Sequence, residues 1–595
     1  MTDLNLGVVG NCQIASLIDT RGVMVWACLP QLDGDPAFCR LLRSDQGSER
    51  PGYYQIELKD FVRAEQRYLD NTAILETVLH DRDGNAVAIT DFAPRYAYLG
   101  RTYKPMMLLR GLHPVRGQPR VRIRLHPTYN YGAEACRVTH GSNHIRYLSP
   151  QLDLRLTTDV SLTHVLEENY FVLDRPLHLI LGPDETILES VAENYRHHFD
   201  ETAAYWLGWV RGLAIPFEWQ SAVIRAAISL KLCTFEDTGA VIAAMTTSIP
   251  EAAKSGRNWD YRYCWLRDSW FVVQALNRLG ATKTMEEYLR YIVNVASDAD
   301  NGPLQPVYSI TGRADLEERE ITSLDGYRGM GPVRVGNQAF EQVQNDVYGT
   351  VIMAATRYFF DRRLRRPGLE AQFQRLEDLG EKAATLYNAP DAGLWEYRGR
   401  KRVHTFSSIM CWAGCERLAR IAIQLEKPDR AAYWGGKAAA IHAFICKEGW
   451  DEPQMSFTEA FGRPEMDASL LTMHDLGFLA ADDPRFASTV AAIEKHLRRG
   501  KHMFRYNAAD DFGEPENAFN ICTFWYIDAL ATIGRKDEAR ELFENMLTCR
   551  NHLGLLSEDI DPATHGLWGN FPQTYSMAGI INAAVRLSRN WEEVL

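Results

Sequence analysis

The apolar residues of this 595-residue chain change period once, near residue 190, and that change restricts the fold more than any other feature of the sequence. Before it, apolar and polar residues alternate in short runs rich in Val, Ile, Tyr and Thr, which is the period of half-buried strands. Gly22-Val23-Met24-Val25-Trp26, Tyr53-Tyr54-Gln55-Ile56-Glu57-Leu58, Ala73-Ile74-Leu75-Glu76-Thr77-Val78-Leu79 and Val121-Arg122-Ile123-Arg124-Leu125 are examples. Asp33-Gly34 and Asp83-Gly84 supply turns between such runs. This pattern predicts stacked antiparallel sheets rather than strand-helix-strand units. Past residue 190 the apolar residues recur at helical spacing, beginning with Leu188, Ala192, Tyr195 and Phe199.

The second pattern predicts twelve helices, near 218–234, 269–279, 282–297, 337–362, 368–387, 404–424, 429–446, 467–480, 486–498, 518–533, 535–548 and 573–590. A dozen helices joined by long polar and Gly-rich loops match a double ring of helices whose loops build a pocket at one end. A solenoid is the competing architecture, but no fixed-period self-similarity supports it. The expected organisation is a β domain over 1–190, a helical linker over 191–217 and a helical domain over 218–595.

Charge and cysteine content narrow the function. With 77 acidic and 65 basic residues the formal net charge is -12, so a nucleic-acid backbone is repelled over most of the surface. The basic run Arg498-Arg499-Gly500-Lys501-His502 follows a helical pattern and reads as a solvated helix end. Eleven cysteines without a Cys-x-x-Cys pair or His partners at metal-ligand spacing read as reduced thiols, with Cys411 and Cys415 as core packing. No metal and no cofactor is expected. Met1-Thr2-Asp3-Leu4-Asn5 lacks the features of a secretory signal, and no run of about 18 apolar residues is present, so the expected compartment is the cytoplasm and no membrane contact is foreseen.

Three loop segments concentrate Trp, Tyr, Arg and acids beyond what strand or helix patterning explains. The first is Asn258-Trp259-Asp260-Tyr261-Arg262-Tyr263-Cys264-Trp265-Leu266-Arg267-Asp268. Sugars present apolar ring faces and outward hydroxyls, so aromatic platforms beside an adjacent Arg and Asp suit them; a buried aromatic cluster with one ion pair would use the same residues. The second, Asp391-Ala392-Gly393-Leu394-Trp395-Glu396-Tyr397-Arg398, sets a carboxylate between aromatic walls. Such walls disfavour the charged form and keep a carboxyl protonated, as a general acid requires, although a glutamate beside aromatics is also an ordinary surface arrangement.

The third is Gly554-Leu555-Leu556-Ser557-Glu558-Asp559-Ile560-Asp561-Pro562, followed by Gly566-Leu567-Trp568-Gly569-Asn570-Phe571-Pro572-Gln573. Its three acids could serve a turn or a calcium loop, but the latter wants more oxygen ligands at fixed spacing. Glycoside hydrolysis with inversion needs one carboxylic acid for the leaving oxygen and one carboxylate for the attacking water. The second and third segments could supply that pair.

In this order the motifs resemble glycoside hydrolase family 15, the glucoamylase and bacterial or archaeal trehalase group, over essentially the whole chain. Asp260-Tyr261-x-Tyr263-x-Trp265-x-Arg267-Asp268 resembles the family's first substrate loop, and Leu394-Trp395-Glu396 the segment holding its general acid. Ser557-Glu558-Asp559, running into Asn570-Phe571-Pro572-Gln573, is similar to the segment holding the general base. The resemblance implies an N-terminal β-sandwich followed by an (α/α)6 barrel, with Glu396 as acid and Glu558 as base. It further implies that Arg267 and Asp268 bind hydroxyls at the non-reducing end, that Tyr261 positions the base or its water, and that Tyr263, Trp265 and Trp395 line the substrate.

Phe504-Arg505-Tyr506 resembles a loop whose Arg touches substrate, and Gln344-Asn345-Asp346 partly matches a substrate-side loop, with Asp346 as a support residue. Arg334, in Gly329-Met330-Gly331-Pro332-Val333-Arg334, is expected either to brace the pocket or to touch substrate. Tyr575-Ser576-Met577 departs from the family, in which a His follows the Ser.

The expected activity is inverting hydrolysis of a small α-glucoside, trehalose first, with glucose release from maltooligosaccharides or isomaltose as the alternative. Disaccharide phosphorolysis and sugar binding without catalysis are the readings from other classes. An inverting pair predicts carboxyl groups about 6.5 to 9.5 Å apart. The sequence leaves homo-oligomerisation open.

Overall fold

The computed structural model describes residues 3–44, 50–298, 303–364, 368 and 370–594. Alternating patterns in the first part become two antiparallel sheets, one of seven strands and one of eight. Tyr53–Leu58 and Arg120–His126 pair in the first, with Ile56 opposite Ile123 and Tyr54 opposite Leu125. Leu75–Asp81 and Ala86–Phe92 form a hairpin in the second, turned by Asp83-Gly84. Inward residues of both sheets, among them Val9, Met24, Ile56, Leu79, Ile89 and Leu179, meet in one buried layer, which makes the unit a sandwich.

A polar element is buried in the second sheet. Arg110 and Asp91 lie opposite each other on neighbouring strands, wholly buried, with Arg110 Nε donating to Asp91 Oδ1 at 2.7 Å. Helix α1, Val191–Arg211, follows the sandwich and packs Tyr195 and Phe199 on Phe92. It begins at a reciprocal cap: the Ser190 hydroxyl accepts from the Glu193 N–H at 3.2 Å and donates to its carboxylate at 2.7 Å. Leu188, expected on the apolar face, lies before this cap and is exposed.

The remaining long helices are α2 Gln220–Leu232, α3 Leu266–Arg278, α4 Thr282–Asp298, α5 Asp346–Ala355, α6 Glu370–Leu386, α7 Thr405–Gln424 and α8 Pro428–Glu448. They continue as the short α9 Met473–Leu476, then α10 Pro484–Leu497, α11 Asn520–Thr532, α12 Lys536–Thr548 and α13 Thr574–Leu587. An inner ring closes in the order α3, α5, α7, the 468–476 turn, α11, α13 and back to α3. Helices α4, α6, α8, α10, α12 and α2 pack outside it, giving the (α/α)6 barrel.

The outer helix α12 and the inner helix α11 differ in their apolar pattern. In α12 only Ala539, Leu542, Phe543 and Met546 are buried, a single stripe at helical spacing, so one face meets the core and the other meets water. Almost every residue of α11 is buried, as expected of a helix apolar on all sides. Among the described residues no helix is long and apolar enough to cross a membrane.

Two helix expectations fail in part. The segment expected as helix over 337–362 forms a 3-10 turn, Gln338–Glu341, and an open loop before α5 begins at Asp346. Asn337 accepts the Ala339 N–H at 3.0 Å and starts that tighter turn. The stretch expected over 467–480 is a 3-10 turn, Ala468–Thr472, running into the four-residue α9, which the left-handed Gly477 ends. The basic run after α10 does form a helix end, with Arg498 paired to Glu494 and Glu538 at 2.8 Å.

Helices α5 and α7 approach backbone to backbone at Gly349 and Gly414, and a methyl group on Gly349 would collide with the Met410 carbonyl. Gly349→Ala is therefore expected to destabilise the barrel by about 1–3 kcal/mol through overpacking, read as a lower thermal midpoint; an unchanged midpoint would show that the two helices part freely.

Candidate active site

The loops that enter α3, α5, α7, α11 and α13 line one pocket, through Trp265, Gln342, Glu396, Phe519 and Gln573 among others. Glu396 and Glu558, 162 positions apart in sequence, both line it.

Glu396 lies in the loop before α7 with φ 61°, a left-handed backbone that costs a non-glycine residue about 1–3 kcal/mol. Its neighbours hold it there. The Gln342 amide donates to its carbonyl at 3.1 Å, and three donors converge on Oε1: Trp265 Nε1 at 2.6 Å, Gln344 Nε2 at 3.4 Å and Arg267 Nη2 at 3.5 Å. Burial raises the carboxyl's pKa, against the opposing pull of Arg267 and the Trp265 and Gln344 donors.

Glu558 is fully buried in the loop between α12 and α13. Its backbone is pinned at both ends, by donation to the Asn570 carbonyl at 3.2 Å and acceptance from the Asn520 N–H at 3.0 Å. Both side-chain oxygens lack a close hydrogen-bond partner among the described residues, while the Tyr261 hydroxyl stands near enough to favour the charged form. Burial and the negative charge of Glu251 outweigh that and push Glu558 up to about 8. Of the other two acids in this segment, Asp559 is buried behind it with its pKa also raised by burial, and Asp561 caps the next turn by accepting the Ala563 N–H at 2.8 Å. Only Glu558 of the three reaches the pocket.

Arg267 and Asp268, in the first turn of α3, occupy the buried end of the pocket. Arg267 donates to Gln344 Oε1 at 2.7 Å, Asp346 Oδ2 at 3.1 Å and the Leu394 carbonyl at 3.0 Å, and its Nε faces Asp268 Oδ1 at 3.9 Å. Burial pushes Asp268 up to about 7, against the pull of Arg267. Asp346 therefore supports the site from behind.

Tyr261, Trp265, Trp395 and Arg505 also line the pocket. Tyr261 stands edge-on to Trp265, the Trp395 indole donates to Asp467 Oδ2 at 2.9 Å, and Arg505 Nη2 donates to Glu251 Oε2 at 2.5 Å. Tyr263 does not join them. It is buried behind Trp265 among Ala243, Val307 and Leu316, where its hydroxyl accepts the Gly336 N–H at 3.2 Å, so its place is in the packing that backs the loop. Arg334 is likewise outside the lining and braces the first loop by donating to the Asn258 and Gly256 carbonyls at 3.0 and 3.1 Å. Met577 is buried in the core, and Ser576 tethers the Glu558 loop through the Ser557 carbonyl at 2.8 Å.

Comparison with known proteins accounts for this arrangement. The family model described as glycosyl hydrolases family 15 matches residues 219–585, and a trehalase-like N-terminal model matches residues 5–161. The chain belongs to glycosyl hydrolase family 15. Among its family relatives, a trehalase of Mycolicibacterium smegmatis is 32% identical, with 99% of this chain and 91% of the relative covered. A trehalase of Thermoplasma volcanium is 30% identical over 98% of this chain and 93% of its own. In fold, this family member is similar to a bacterial glucoamylase solved with acarbose, at a TM-score of 0.70 and 15% identity over 99% of this chain and 94% of that one.

Sequence reasoning missed Glu251, which accepts from Trp259 Nε1 at 3.0 Å and from Arg505 and faces Glu558, and it missed Gln342; Gln344 entered only as part of a substrate-side loop, not as a donor to Glu396. Glu251 follows Ser-Ile-Pro with no aromatic neighbour in sequence, and the two glutamines fall in a stretch with helical apolar spacing.

Gly569 shows how closely Glu558 is held. It has φ 73°, and a Cβ there would lie 2.6 Å from Glu558 Cβ and 2.8 Å from Oε2. Gly569→Ala is expected to lower hydrolytic kcat/KM on the order of 100-fold by displacing the carboxyl, with the circular dichroism spectrum retained; near-native turnover would show that Glu558 need not sit where it does.

Proposed function

We propose that this glycoside hydrolase cleaves trehalose to two glucose molecules with inversion, Glu396 acting as general acid and Glu558 as general base. The observation that carries the reading is that these two carboxyl groups, from remote loops, line one pocket whose depth holds Arg267 and Asp268. The names of the relatives support trehalose over longer α-glucosides.

The three donors on Glu396 Oε1 leave Oε2 to carry the proton for the glycosidic oxygen. Glu558, ionised, takes a proton from water, which attacks the anomeric carbon from the opposite face as the bond to the leaving glucose breaks. Its raised pKa makes it a stronger base once charged. Tyr261 holds the base or its water. Arg267 and Asp268 fork onto sugar hydroxyls, Trp265 and Trp395 offer ring faces, and Arg505 contributes a further donor. Phosphorolysis is disfavoured because the Glu558 carboxyl, with Glu251 facing it, stands where the phosphate would have to bind. The cytoplasm is the proposed compartment, supported by eleven unpaired cysteines.

A screen of trehalose, maltose, isomaltose and maltooligosaccharides tests the substrate, with trehalose expected to give the highest kcat/KM. Glu396→Gln and Glu558→Gln are each expected to lower kcat by about 10²–10⁴-fold while trehalose still binds; full turnover in either variant defeats its assignment. Because the base must be ionised, kcat/KM should rise with pH through the Glu558 pKa. Glu251→Gln removes the facing charge and should move that acidic limb to lower pH by about one unit, whereas an unmoved limb means another group sets it.

A further inference from the structure

The pocket runs from a buried end to an exposed one. Glu558 and Arg267 are 0% and 4% exposed, whereas Phe512 at the opposite end is 36% exposed. Residues 510–513 form a tight turn at that mouth, with the Asp510 and Gly513 backbones paired and Gly513 at φ 97°.

This turn is tied to both walls. On one side Asp510 takes a two-pronged contact from Arg257, Nη2 to Oδ1 being 2.7 Å, and the same Arg257 nitrogen donates to the Gly513 carbonyl at 2.8 Å. Arg257 belongs to the segment that carries Glu251 and Trp259. On the other side Asp511 Oδ2 accepts the backbone N–H groups of Arg398 at 2.8 Å and Gly399 at 3.0 Å, two and three residues past Glu396. Phe512, which follows the two acids, sets its ring edge-on to Trp259 with centroids 5.2 Å apart.

We propose that the 510–513 turn is the specificity-determining strap of the outer sugar site, closing the pocket behind the second ring so that a third sugar has no path outward. The inference rests on the reading of the substrate as an α-linked disaccharide. Two anchors of different kinds, an Arg fork and a pair of backbone amides, hold the strap across the mouth, and Phe512 packs its ring on Trp259 beside the Arg257 anchor.

The test uses the whole protein, with maltose and maltotriose as competitive inhibitors of trehalose hydrolysis. Both share one linkage, so the ratio of their inhibition constants reports length alone. In the wild type maltotriose should inhibit more weakly than maltose. In Asp511→Ala and in Phe512→Ala, both at exposed positions, the ratio of the maltotriose constant to the maltose constant should fall about tenfold. A protein that hydrolyses trehalose but keeps its ratio in both variants overturns the strap alone. A wild type that leaves trehalose intact overturns the disaccharide reading and the strap with it.

Discussion

The site is organised around one buried cation. Arg267 keeps its charge in a place almost closed to water, and a buried guanidinium is tolerable only when its donors are met. The groups that meet them come from separate loops: Gln344 and Asp346 at the head of α5, and Leu394 and Glu396 ahead of α7. Satisfying Arg267 thus fixes three helix entrances relative to one another, and Glu396 is placed as a by-product of neutralising it. The left-handed backbone of Glu396 is held in addition by the Gln342 amide on its carbonyl.

The β-sandwich takes part in this scaffold. Arg262, wholly buried and forked onto Asp260, donates to the Gly34 carbonyl at 2.7 Å, so a turn of the sandwich grips the loop that bears Tyr261 and Trp265. Asn551 reaches the Leu4 and Leu6 carbonyls at 3.0 and 2.9 Å, which anchors the approach to the Glu558 loop. The Trp26 indole donates to the Met245 carbonyl at 2.8 Å. Loops alone would not hold two carboxyl groups to the tolerance that catalysis needs; here each is braced by the inner helices on one side and by sandwich or neighbouring-loop backbone on the other.

Much of this was legible because it follows from periodicity. The change of period near residue 190 marks the passage from paired strands to packed helices, and α12 against α11 shows an apolar stripe on an outer helix and apolar faces all round on an inner one. What failed to show was the work of polar residues in irregular backbone. Residues 337–345 carry apolar side chains at helical spacing, yet past the 3-10 turn Gln338–Glu341 the backbone stays open, and Gln342 and Gln344 reach Glu396. Tyr263 shares its type and near surroundings with Tyr261 and faces the packing behind the loop, a distinction that depends on what stands opposite each side chain. Glu251 matters through Arg505 and Glu558, both far away in sequence, and no local pattern announces it.

The account's central claim is that Glu558 directs water to the face of the sugar opposite the bond that Glu396 helps to break. Proton NMR of the wild-type protein with trehalose, read before mutarotation mixes the anomers, tests it most directly. Inversion at one of the two linked carbons predicts β-glucose and α-glucose appearing together in equal amounts. Formation of α-glucose alone at the earliest times would contradict the opposed pair and require a double displacement.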